Sequence, residues 1–200
     1  MSLILCFSGC KSNNDNLKKI PLKITANDIS SSNSPINSYN LDEYMFRDDV
    51  QYVDLRSPYM ILQDGYVAGF EFIPFYSIIA SFTSDKTLYR MKAVGDADPG
   101  YVGGFVAQYQ ESERIVKELF KQDKPIFFIS QAGSESGYII NLLIQLGYDG
   151  NLLYNVGGVS NSEGIASYSS IKTNKYFVQG TGNLDVKVDY GFTDRLTPIN

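Results

Sequence analysis

The stretch Ser130-Gln131-Ala132-Gly133-Ser134-Glu135-Ser136 places three hydroxyls, an amide and a carboxylate between an apolar run and a patterned helix. A serine becomes a nucleophile when a neighbouring base takes its proton. The usual base is His, whose unperturbed pKa lies near neutral, and this sequence contains none. Ser-His and Cys-His pairs within the chain are therefore excluded. The same side chains suit other roles. Together they could hold a neutral polar group or a cation. They could equally cap the helix that follows, since Ser, Gln and Glu near a helix start satisfy free N–H groups and complement the dipole.

The remaining chemistry-bearing residues narrow the field. Only two cysteines occur, Cys6 and Cys10, both near the start. With two thiols and no imidazole, neither a thiolate zinc site nor a His-rich metal site is expected, and no cofactor is implied. A formal net charge of −5 argues against nucleic acid, whose phosphates need a basic face.

These residues need elements to position them. Val50-Gln51-Tyr52-Val53-Asp54-Leu55 reads as a strand, and Ser57-Pro58 breaks it. Ile126-Phe127-Phe128-Ile129 is a continuous apolar run, as expected for a strand covered on both faces. Ile115, Val116, Leu119 and Phe120 before it recur at helical spacing. After it, Ile139, Ile140, Leu142, Leu143 and Leu146 form a second helix, with Gly147 as its stop. Leu152-Leu153-Tyr154-Asn155-Val156 is another strand, closed by Gly157-Gly158. Alternation of helices with buried strands predicts an α/β domain whose sheet is mostly parallel.

Several segments resemble a known family. Tyr52-Val53-Asp54-Leu55-Arg56-Ser57-Pro58 is similar to the rhodanese signature "(hydrophobic)-D-x-R-(S/T)-P". Gly65-Tyr66-Val67-Ala68-Gly69-Phe70-Glu71-Phe72-Ile73-Pro74 resembles its "G-H-I-P-G-A-x-N-I-P" element, with Gly65, Gly69, Ile73 and Pro74 at the family's spacing. Ile126 to Gly133 gives the strand and loop, and Gly147-Tyr148 with Val156-Gly157-Gly158-Val159 resembles the closing segment. The resemblance implies a rhodanese-like fold: a central, mostly parallel sheet flanked by helices, followed here by a C-terminal β extension.

The departures carry the functional expectation. The family's active-site loop reads "C-R-x-G-x-R-(S/A)", and its Cys carries a persulfide held by a cradle of backbone amides. Alignment on Gly133 puts Ser130 in the nucleophile's place, and Gln131 and Glu135 where the family often has Arg. A hydroxyl cannot store sulfane sulfur. Its pKa lies far above the roughly 8.5 of a free thiol. Reversing a charge about 4 Å from an anion costs on the order of 1 to 4 kcal/mol. Related phosphatases of this fold need Cys and Arg six positions apart, where Ser130 and Ser136 stand here. The resemblance thus implies an inactive pseudoenzyme that acts as a binding or structural module. The alternative is a non-classical activity using the Ser130 loop. Asp54 and Arg56 are implied to brace that loop. Glu71 stands on the second of the resembling segments and could pair with either of them.

At the N-terminus, Leu3-Ile4-Leu5-Cys6-Phe7-Ser8-Gly9-Cys10 is apolar and is followed by polar residues, the pattern of a secretory signal near its cleavage point. Phe7-Ser8-Gly9-Cys10 resembles a bacterial lipoprotein box, which implies acylation of Cys10 and a membrane-anchored, extracytoplasmic location at the cell envelope. The expected organisation is a signal remnant at 1–10, a tether at 11–23, the rhodanese-like domain at 24–165 and the extension at 166–200. Within it, Ile24–Ile29 reads as a short strand or helix start, and Ser30–Ser38 as a loosely packed loop. Asp96–Gly104 reads as a surface loop. Tyr176-Phe177-Val178 and Val186–Tyr190 read as two strands of an added hairpin or a docking tail. The expected partner is a protein or a small polar ligand, and scattered tyrosines (Tyr66, Tyr76, Tyr89, Tyr101, Tyr109) would serve such a contact if exposed.

Overall fold

Apolar runs that must be covered on both faces account for the centre of this molecule. The computed structural model describes residues 17–80, 87–93, 102–159, 167–171, 174–180 and 196–199. Cys6 and Cys10 lie outside them, as do Tyr101, residues 96–101 of the expected surface loop and the second expected strand at 186–190.

The elements run as β1 (Gln51–Asp54), α1 (Pro58–Asp64), β2 (Tyr66–Val67), β3 (Glu71–Phe72), α2 (Phe75–Ile78), β4 (Ile79–Ala80), β5 (Tyr89–Ala93), β6 (Val102–Ala107), α3 (Ser112–Leu119), β7 (Ile126–Ser130), α4 (Ser134–Gln145), β8 (Leu153–Gly158) and β9 (Phe177–Val178). Four strands form a parallel sheet in the order β3-β1-β7-β8. The fold is therefore α/β with a parallel central sheet.

Side-chain alternation divides the core in two. Val53, Leu55, Ile126, Phe128 and Leu153 pack beneath Val116 of α3 and Ile139, Ile140, Leu142 and Leu143 of α4. Their neighbours in the strands, Tyr52, Phe127, Ile129, Tyr154 and Val156, face the other way. Phe127 is the hub of that second layer, in edge contact with the rings of Tyr44, Tyr52 and Tyr154.

That second layer corrects two expectations. It contains Ile36, Leu41, Tyr44 and Met45 from the N-terminal segment, which covers the sheet with turns and a 3-10 turn at Leu41–Tyr44. Ser34, Ile36 and Ser38 are buried, so the Ser30–Ser38 stretch is packed and not loose. The reason is local: Ile36 enters the core while the short polar side chains beside it bond nearby backbone, as when the Ser34 hydroxyl donates to the Ile36 carbonyl. Ile24–Ile29 forms turns, with neither strand nor helix. The attachment reaches further back. Lys23 Nζ donates to the carbonyls of Ala26, Gly150 and Leu153 at 2.7, 3.0 and 3.1 Å, and burial lowers its pKa below the usual lysine value. Tyr154 donates to the Pro21 carbonyl. Part of the expected tether is thus bonded to the domain.

A second, three-stranded sheet of β4, β5 and β6 lies between α2 and α3 in the chain. Val102–Gly104, expected as loop, belongs to β6. Gln145, the last residue of α4, binds β6 through both ends of its amide, at 2.8 Å to the Phe105 N–H and 2.8 Å to its carbonyl. Tyr89 and Tyr109 are buried and fill the core, Tyr66 is half-buried and Tyr76 is exposed. At the other end, β9 pairs antiparallel with β2. The strand expected at 176–178 thus has a long-range partner in β2, while its expected hairpin neighbour lies outside the described residues. Among the described residues, no helix is long and apolar enough to cross a membrane.

Candidate functional site

In a parallel α/β sheet, the loops that follow the strand C-termini gather at one edge. Here that edge collects the ends of β1, β7 and β8 together with the start of α4.

Ser130 is the final residue of β7. The burial of all five residues of that strand fixes its position. The side chain is 1% exposed, and its Oγ accepts a hydrogen bond from the Gly133 N–H at 2.9 Å. The hydroxyl thus sits inside the turn that it opens. Gly133 closes the turn at φ 93, a left-handed conformation that L side chains rarely adopt. A Cβ there would stand 3.3 Å from both the Gly157 Cα and the Ser31 Oγ. α4 begins at the next residue.

The other loop residues diverge. Gln131 reaches toward α1, where its Nε2 donates to Asp64 Oδ2 at 3.3 Å. Ala132 and Ser134 are exposed, and the Ser134 hydroxyl donates to Glu135 on the surface. Ser136 turns inward, fully buried, with no hydrogen-bond partner for its Oγ among the described residues. The hydroxyls, amide and carboxylate expected as one cluster are therefore dispersed around the helix start. Glu135 stays in the first turn of α4, where a carboxylate complements the dipole.

Asp54 and Arg56 do form a pair. Arg56 Nε and Nη2 donate to the carboxylate, the shortest contact being 2.7 Å, and both side chains are fully buried. Arg56 Nη2 also donates to the Gly65 carbonyl at 2.9 Å. The pair thus ties β1 to the turn between α1 and β2. Arg56 Nη1 is buried without a partner among the described residues. Glu71 does not join them. It accepts instead from Gln51 Nε2 at 2.6 Å.

The residue that holds the loop in place is one that sequence reasoning passed over. Asn155, buried in β8, donates from Nδ2 to the carbonyls of Ile29 and Gly133 at 2.8 and 2.9 Å. Its Oδ1 accepts from the Gly157 N–H at 3.1 Å. The β7–β8 register shifts at this level, with Phe128 opposite Asn155 and Ile129 opposite Gly157. Val156 is the extra residue of this irregularity, which re-aims the strand end as bulges do. The legible signal was a lone carboxamide in an otherwise apolar strand.

Beside the loop lies a groove of about 530 Å³. Its lining includes Ile29 and Ser31, Gly137, Tyr138 and Asn141 of α4, and Gly133 and Asn155. Ser130, Gln131 and Ser136 do not line it. Among the described residues, no group of three or more His, Cys, Asp or Glu side chains could hold a metal ion.

The buried ion pair yields a test. Removing one partner leaves an uncompensated buried charge, which typically costs about 3–5 kcal/mol. Asp54→Ala is expected to lower stability by that amount in urea denaturation. Asp54→Leu combined with Arg56→Met should recover most of the loss, because it buries no lone charge. No protein-family model, curated protein or solved structure matches this chain.

Proposed function

We propose that this chain is a catalytically inactive rhodanese-like domain, a binding or structural module held at the cell envelope by an acylated Cys10. The observation that carries the reading is the Ser130 hydroxyl, which is 1% exposed and bonded to the Gly133 amide. A persulfide at this position would need both a sulfur and amides open toward it. Ser130 supplies neither: it has oxygen for sulfur, and it occupies a loop N–H that an anion would otherwise use. The chain has no His to activate that hydroxyl.

The order of the resembling segments supports the fold half of the reading. Tyr52–Pro58 runs from β1 into α1, and Gly65–Pro74 spans β2 and β3. Ile126–Gly133 is β7 with its loop, and Val156–Val159 ends β8. All four reach the same parallel sheet in chain order. Asp54 and Arg56 sit at the end of β1 beside that loop, which suits the bracing role the resemblance implies.

Thiosulfate-to-cyanide sulfur transfer tests the catalytic half. The purified protein is expected to form thiocyanate no faster than a protein-free blank, with Ser130→Cys/Glu135→Arg run beside it as the restored loop. Wild-type turnover that Ser130→Ala abolishes would contradict the reading. The anchor has its own test, the intact mass after expression in a lipoprotein-processing host. The expected mass lacks residues 1–9 and includes acyl chains on Cys10, whereas an unmodified cytosolic chain would exclude the anchor.

A further inference from the structure

The groove beside the loop has a chemistry of its own. No Asp, Glu, Lys or Arg lines it. Its polar groups are serine hydroxyls and carboxamides, and its apolar lining comes from Ile29 and the half-buried ring of Tyr138. The two carboxamides differ in what they have left to give. Asn155 is fully engaged, with both its Nδ2 donations and its Oδ1 directed at backbone. Asn141, half-buried in the lining, has no hydrogen-bond partner among the described residues.

Gly137 adds a second observation. It lies within α4, where Gly costs about 1 kcal/mol relative to Ala. Tight packing does not require it: a Cβ there would meet nothing nearer than Ile29, at 3.6 Å, an ordinary contact. Its φ is not in the left-handed range either. Gly137 thus lines the groove where Ile29 comes nearest to α4. Gly137, Tyr138 and Asn141 fall at helical spacing on one face of α4, so the site runs along the side of the helix and does not depend on its N-terminus.

We propose that this groove binds an uncharged polyhydroxyl compound, a saccharide in the simplest case. The proposal deepens the binding-module reading and rests on it for the absence of turnover. An ion would enter without a counter-charge, whereas a sugar's hydroxyls match Asn141 and Ser31, which both donate and accept. The sugar's C–H face matches the Tyr138 ring and Ile29. The volume of about 530 Å³ lies within the range of small-molecule sites.

The test is a 15N-edited NMR titration of the full chain with glucose and with N-acetylglucosamine, and in parallel with sodium thiosulfate and phosphate. One or both sugars are expected to give saturable shifts at Gly133, Gly137 and the Asn141 side-chain amide, and the anions none. Asn141→Leu should weaken sugar binding about tenfold. Gly137→Leu should abolish it by filling the groove, while Gly137→Ala keeps the fold and serves as the control. Three outcomes overturn the proposal: no sugar shift at any of these positions, shifts that both groove variants leave unchanged, or shifts produced by the anions instead. If a sugar binds and is chemically converted, the site stands and the inactive reading falls. If nothing binds and nothing turns over, the site falls and the inactive reading stands.

Discussion

The hydrogen bond from the Gly133 amide to Ser130 Oγ organises the strand-to-helix turn at the sheet's edge. It needs three things. β7 must deliver Ser130 to a fixed point, and burial of the strand on both faces does so. Gly133 must take up a left-handed conformation. The turn must then be held from outside, where Asn155 grips the Gly133 carbonyl and carries the Gly157 amide on its other face. Leaving a buried N–H unpaired costs about 1–3 kcal/mol. A turn closed by its own hydroxyl is therefore stable as it stands, and needs no bound anion to satisfy that amide.

The same scaffold that closes the turn opens a space next to it. Beside the turn, the N-terminal segment runs against α4. Ile29 and Ser31 stand across from α4, tied down through the Asn155 bond to the Ile29 carbonyl. Lys23 anchors the start of that segment to the carbonyls around β8. Groove and turn thus share one clamp. A change at Asn155 would disturb both, whereas a change at Asn141 touches only the groove. Whatever occupies the groove meets neutral polar groups and an aromatic ring, while the hydroxyl at the end of β7 stays behind the turn.

Much of this was legible in the residues. The β7 run and the α4 pattern are long apolar signals, and the two faces of the sheet follow from simple alternation. Gly147 takes the left-handed conformation expected of a helix stop. The place of Ser130 at the end of a buried strand followed from the apolar run before it, but the direction of its hydroxyl did not, because a rotamer carries no sequence signal. The Ser30–Ser38 segment misled for a physical reason. One isoleucine among serines and asparagines has no periodicity, yet Ile36 is fully buried because the sheet face above it had to be covered. The β4–β6 sheet escaped notice because Tyr89–Ala93 interleaves charged residues with apolar ones and Val102–Ala107 carries two glycines, so neither reads as an apolar strand. The loop residues looked like one cluster in a linear string. On a helix start they point in different directions, Ser136 inward and Ser134 outward.

The central claim is that the loop amide is already occupied by the chain's own hydroxyl. The most direct measurement is hydrogen exchange at the Gly133 amide, followed by NMR with and without sodium thiosulfate. The account predicts an amide protected relative to an unstructured chain, with neither its exchange rate nor its chemical shift altered by the anion. Exchange at the unstructured rate, together with a saturable shift as thiosulfate is added, would contradict it and return the loop to anion chemistry.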